Sequence, residues 1–163
     1  MATEPALHVV LYRPEIAANA GAIGRTCVAA GARLWLVRPL GFHLDDRHRR
    51  RAGLDYWPDL DWRAVDDLDE TARAIAPGRL WHFSTHAHRP YTSADFRPGD
   101  ALVFGPESRG LPASLLSDRP ETALRIPIRP AARSLNLACS VAIGLFEALR
   151  QLPIADCGLR IAD

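Results

Sequence analysis

Lysine is absent from this chain, and all 20 basic residues are arginine. A genome rich in G and C accounts for that without selection at each site. Even so, arginine is the better bidentate ligand for phosphate. Cysteine is scarce and odd in number: Cys27, Cys139 and Cys157 lie scattered with no CxxC spacing. That excludes a disulfide framework and an ordinary zinc site. Cys27 and Cys139 fall on predicted helix faces and read as small core residues. No apolar run approaches the roughly 20 residues that cross a bilayer. The first residues lack a charged stretch followed by an apolar one, so a cytoplasmic protein away from membranes is expected. The net charge of +1 is silent about a nucleic-acid partner. Internal repeats and low-complexity segments are also lacking.

What is present is a chain of 163 residues, 48% hydrophobic, enough for one sizeable core and too short for two comfortable domains. A single domain over 1–163 is therefore expected. Short apolar strands are predicted at 7–11, 33–37, 80–84, 101–104 and 123–126. They alternate with helices at 19–30, ended by Gly31, at 62–76 and at 112–117, and with a long C-terminal helix. That alternation predicts an α/β fold, a mostly parallel sheet flanked by helices. In such sheets the ligand lies outside the carboxyl ends of the strands. Three loops or turns there carry the unusual residues: Asn19 to Arg25, Gly105 to Gly110, and Arg129 to Asn136.

The last of these opens the long helix. Leu135, Ala138, Cys139, Ala142, Ile143, Phe146 and Leu149 form one apolar stripe at helical spacing. Leu137, Val141, Leu145 and Leu152 are apolar off that stripe. Such a helix needs cover on two sides, as a central core helix or as one shared with a second subunit. Ser134 and Asn136 stand where the first helical N–H groups are unpaired. Either can cap the helix, and no capping box completes it, because Leu137 stands where Glu or Gln would be. A polar helix mouth fed by an Arg-bearing loop also suits an anionic or polar ligand. Arg47, Arg49, Arg50 and Arg51 with His48 make one basic block, readable as a solvated loop or as an RNA-backbone contact. His82, His86 and His88 lack a nearby carboxylate or cysteine and read as loop histidines with no metal.

Asn19-x-Gly21-x-x-Gly24 is one residue from the dinucleotide fingerprint GxGxxG. The first glycine is missing, and the second strand ends at Val37-Arg38 where an acidic residue is expected. An arginine there can take a 2′-phosphate, which leaves an NADP-binding oxidoreductase as an alternative.

Taken together, PEIAANAGAIGRTC at 14–27, LVFGPESRGLP at 102–112 and IPIRPAARSLNLACSVAIGLFEALRQ at 126–151 resemble the three motifs of the SPOUT-class RNA 2′-O-methyltransferases. The likeness is greatest to the small single-domain TrmL type, which acts on cytidine or uridine 34 of tRNA. LVRPLGF at 36–42 and RRAGLDYW at 50–57 extend it over nearly the whole chain. The resemblance implies a deep C-terminal trefoil knot, S-adenosylmethionine as cofactor without metal, a homodimer, and the tRNA anticodon loop as substrate. It implies that Phe83, Gly105, Ile126 and Ser134 line the cofactor site and that Arg25, Asn19, Glu107 and Asn136 serve catalysis. A guanidinium does not lose its proton in a protein, so Arg25 is expected to clamp a phosphate and stabilise the developing alkoxide, with phosphate or water taking the proton. Asn19 is expected to position the ribose, hold the loop or cap a helix. Glu107 is expected to pair with Arg25 or Arg109, and Ser134 and Asn136 to orient cofactor and hydroxyl. Arg49, Arg50 and Arg51 are the expected RNA contacts. Ala138-Cys139 stands where that type carries a polar pair, and Phe146 where tyrosine is common. A non-catalytic RNA-binding homologue is therefore the second alternative.

Overall fold

A computed structural model describes residues 4–44, 57–153 and 158–159. The basic block, with Arg49, Arg50 and Arg51, lies outside them. Among the described residues seven strands form one sheet: β1 (His8–Tyr12), β2 (Arg33–Val37), β3 (Trp62–Val65), β4 (Leu80–Phe83), β5 (Arg89–Pro90), β6 (Ala101–Phe104) and β7 (Ala123–Arg125). Their order is β3-β2-β1-β6-β4-β7-β5, and every pairing is parallel. β1, β2 and β6 are apolar almost throughout because both faces of a parallel sheet are covered; Val9, Val10, Leu34, Leu36, Leu102 and Val103 are fully buried.

Four helices complete the described fold: α1 (Ala17–Ala30), α2 (Leu68–Ile75), α3 (Ala113–Ser117) and α4 (Leu137–Gln151). Gly31, at φ +65°, ends α1. Its N–H donates to Val28 O, and the N–H of Ala32 donates to Cys27 O, the pairing of a Schellman cap.

The helix expected over 62–76 is instead a strand and a shorter helix. Trp62–Val65 pairs with β2 as an edge strand. Asp67 then caps α2 by accepting from Glu70 N at 2.7 Å, while the Glu70 carboxylate accepts from Asp66 N at 3.1 Å. The Asp-x-x-Glu spacing was the sign that a helix starts there and not at Trp62. β5, only two residues long, lies between the strands expected at 80–84 and 101–104, where the spacing predicts none.

The spacing leaves open which apolar side of the long helix meets the sheet, and the structure decides it. Val141, Gly144, Leu145, Ala148 and Leu149 are its buried side, while Leu135, Ile143 and Phe146 are 37%, 37% and 50% exposed. Cys139, expected in the core, is exposed as well, whereas Cys27 is buried and its thiol is pushed up to about 12 by that burial. The reason is Gly144. A Cβ there would sit 2.9 Å from Phe83 Cζ and 3.3 Å from Leu102 Cδ2. The helix therefore lies closest to the sheet on its glycine side.

At the amino ends of the strands, Asp100 is almost fully buried. It accepts from Arg79 N, Arg79 Nε and Nη2, Trp81 Nε1 and Arg97 N, at 2.7 to 3.1 Å. This hub ties the lower edge together and leaves the upper edge for loops.

Candidate active site

The strand order reverses between β1 and β6, and in open α/β sheets the crevice for a ligand opens above such a point. A cavity of about 510 Å³ lies there. Asn19, Phe83, Gly105, Glu107, Ile126, Ser134 and Asn136 all line it. The structure thus brings together the segments after β1, β6 and β7, which are far apart in sequence. Arg25 is not among the lining residues. It lies on the exposed side of α1.

The start of α1 has neither a side-chain cap of its own nor an acidic residue in its first turn. Glu107 supplies the missing acceptor from more than 90 residues away. Its Oε2 accepts from Glu15 N at 2.8 Å, and its Oε1 accepts from Ile16 N at 3.2 Å and Asn19 Nδ2 at 3.1 Å. An anion is favoured at this helix end by the dipole. The partner expected for Glu107 was Arg25 or Arg109; its described partners are N–H groups instead. With both oxygens so engaged, the carboxylate braces two loops and is poorly placed to take a proton.

Asn19 sits in the first turn of α1 rather than capping it, and its Oδ1 accepts from Asn136 Nδ2 at 3.1 Å. Asn136 caps α4, its Oδ1 accepting from Ala138 N at 2.9 Å and Cys139 N at 3.4 Å. A relay therefore runs from Glu107 through Asn19 and Asn136 into α4. Ser134, the other candidate cap, is left facing the cavity. Gly21 and Gly24 are buried within α1 and serve helix packing. They are not in a strand-to-helix turn, which removes the structural basis of the dinucleotide reading.

Ser84 and Thr85 after β4, with Ser108, Arg133 and Ser140, also line the cavity and had no role expected from sequence; His86, read as a loop histidine, and Arg109, expected to pair with Glu107, line it too. The loop after β4 obeys the strand-end rule that picked out the other three segments, so it was within reach. His82, grouped with the loop histidines, is instead 3% exposed on β4, its Nδ1 3.0 Å from Thr122 Oγ1. Burial pushes its pKa down to about 4. Among the described residues no group of three His, Cys, Asp or Glu could hold a metal ion. No described helix is long and apolar enough to cross a membrane.

The cavity falls in the usual range of small-molecule sites, about 300–1,000 Å³. Phe83, Ile126, Ile128, Leu135 and Leu137 give it apolar walls, beside hydroxyls and the Asn19–Asn136 pair. Apolar walls beside hydroxyls and paired amides suit a ligand that carries both an apolar part and hydrogen-bonding groups.

A crevice of this kind on a parallel sheet belongs to a recognisable class. Residues 6–146 match the model of the SpoU rRNA Methylase family, and the chain is a member of it. Within that class its relatives are specific. The tRNA (cytidine(34)-2′-O)-methyltransferase of Aeromonas hydrophila is 44% identical over 150 residues, covering 91% of this chain and 96% of the relative. A solved structure concerned with 2-OH methylation of C/U34 on tRNA is 47% identical with TM-score 0.82, covering 89% of this chain and 95% of that one. An AdoMet-bound rRNA methyltransferase from Sinorhizobium meliloti is 29% identical with TM-score 0.78, covering 93% and 59% of the two chains.

Proposed function

We propose that this protein transfers a methyl group from S-adenosylmethionine to the ribose 2′-hydroxyl of nucleotide 34 in tRNA. The observation that carries the reading is the meeting of Asn19, Glu107 and Asn136 at one rim of the cavity, with Phe83, Gly105, Ile126 and Ser134 along the rest of it. When bound there, S-adenosylmethionine supplies an electrophilic methyl carbon. The chain's own part is alignment. Asn19 and Asn136, fixed to each other and braced by Glu107, present amide groups to the ribose. Glu107 holds the two loops in register. The proton passes to phosphate or water, because Glu107 has no oxygen left without an N–H donor.

Two further features belong to the same proposal. α1 and α4 pack against each other. Their outer faces present Ala18, Ala22 and Arg25 on one helix, and Cys139, Ile143 and Phe146 on the other. A second copy of the chain covers this face, and Arg25 clamps the phosphate beside the target ribose within that dimer. Arg49, Arg50 and Arg51 contact the RNA backbone, and the C-terminal third is threaded as the family's knot.

Incubation with tritiated S-adenosylmethionine and bulk tRNA, followed by mapping of 2′-O-methylated nucleotides, tests the reading. Methylation at position 34 is expected. Folded protein that binds S-adenosylhomocysteine and tRNA but transfers no methyl would favour the non-catalytic alternative.

A further inference from the structure

We propose that Glu15, which does not line the cavity, is a positioning residue for this methyl transfer: through Ser108 it holds the tip of the 105–112 loop in register. The inference rests on the methyl-transfer reading above. The loop is stiff within itself. Gly110 N donates to Pro106 O at 2.8 Å, and a Cβ on Gly105 would fall 2.2 Å from Gly110 C, so its two legs touch. What remains free is a swing of the whole loop about its feet. Such a swing would carry Glu107 away from Asn19.

Glu15 blocks that motion at the tip. Its Oε2 accepts from Ser108 N at 2.9 Å and its Oε1 from Ser108 Oγ at 2.7 Å. One residue back, Glu107 returns the bond by accepting from Glu15 N at 2.8 Å. The two glutamates thus exchange hydrogen bonds across two loops, and together they close a ring that one alone would leave open. Glu15 is itself anchored from behind. Gly41 N donates to Pro14 O at 2.9 Å, and a Cβ on Gly41 would lie 2.6 Å from Glu15 O. The Ser108 hydroxyl and N–H also hold the Glu15 carboxyl below the usual carboxylate range, which keeps it ionised as an acceptor.

The test compares Glu15→Ala, Glu15→Gln and Ser108→Ala, with rates expressed per site titrated by S-adenosylhomocysteine so that unfolded protein does not count. Glu15→Ala is expected to lower kcat about 10- to 100-fold, the cost of roughly an ångström of misplacement. The KM for tRNA and the S-adenosylhomocysteine affinity should stay within about threefold, since Glu15 does not itself line the cavity and the misplacement falls on Glu107 and Asn19. Gln at 15 can accept from Ser108 N–H and donate to Ser108 Oγ, so Glu15→Gln should recover most of the rate. Ser108→Ala, which removes one of the two bonds at an exposed site, should fall between. An unchanged kcat per titrated site in Glu15→Ala, with loss confined to thermal stability, overturns the proposal. So does a Gln variant no better than Ala. A wild-type protein that transfers no methyl overturns the underlying reading instead.

Discussion

Replacing Glu107 separates a brace from a base. In the structure its carboxylate takes three N–H donors, two of them backbone groups at the start of α1. Glu107→Ala removes a helix cap worth about 1 kcal/mol. It also removes an anion from a positive helix end, about 0.5 kcal/mol, and strands the Asn19 amide, about another 1 kcal/mol. The sum, about 2–3 kcal/mol, corresponds to a fall in Tm of about 5–10 °C for a chain of this length. The rate should drop about 100-fold as Asn19 and Asn136 lose their register. Glu107→Gln is the decisive variant. All three partners are N–H donors, so the Gln NH₂ must face one of them donor to donor. A brace therefore predicts that Gln loses stability and rate much as Ala does. A general base predicts that Gln keeps stability and loses only rate. Melting curves read beside single-turnover methyl transfer distinguish the two. A Glu107→Gln variant melting within about 1 °C of wild type would refute the brace.

Gly105→Ala should disable the second loop, since its Cβ would stand 2.2 Å from Gly110 C and 2.3 Å from Leu111 N; loss of S-adenosylhomocysteine binding by calorimetry is expected, and wild-type affinity would count against it. Phe146→Arg places a charge on a side chain that is 50% exposed in the single chain; light scattering should show a monomer with unchanged circular dichroism and no activity, and an intact dimer would remove this face as the interface. His8 and His82 are each pushed down to about 4, by burial first and then by Arg33 and Arg119 respectively. The unfolded chain takes up both protons below about pH 6.5, whereas the folded chain resists until about 4. Their contribution to stability is whole above pH 6.5 and is lost as pH falls through that window, with a slope approaching about 2.7 kcal/mol per pH unit. Urea midpoints flat from pH 6.5 to 4.5 would refute it, and His8→Gln should roughly halve the slope.

Gly144 shows where periodicity stopped short. Apolar residues lie nearly all round α4, so spacing alone found a helix with two covered sides but not which side meets the sheet. The stripe through Ile143 and Phe146 is the wider one by spacing, yet the chain's own core claims the side carrying Val141, Gly144, Leu145 and Ala148. A glycine inside an apolar stripe marks closest approach, and that sign was present. The 62–76 segment failed for a different reason. Trp62–Val65 is a strand only because β2 offers it a ladder, and pairing with a distant segment leaves little trace in four residues.

By itself the sequence determined five of the seven strands, the parallel sheet and the segments that carry the chemistry, because hydrophobic spacing, glycine caps and motif residues act over a few neighbours. Only the tertiary structure decided that Glu107 meets the N–H groups of α1, that Glu15 meets Ser108, and that Arg25 stands outside the cavity of its own chain. Those pairings join residues about ninety positions apart. A carboxylate's partner at that range is chosen by how the strands are ordered, and local sequence does not encode which donor the fold will bring to it.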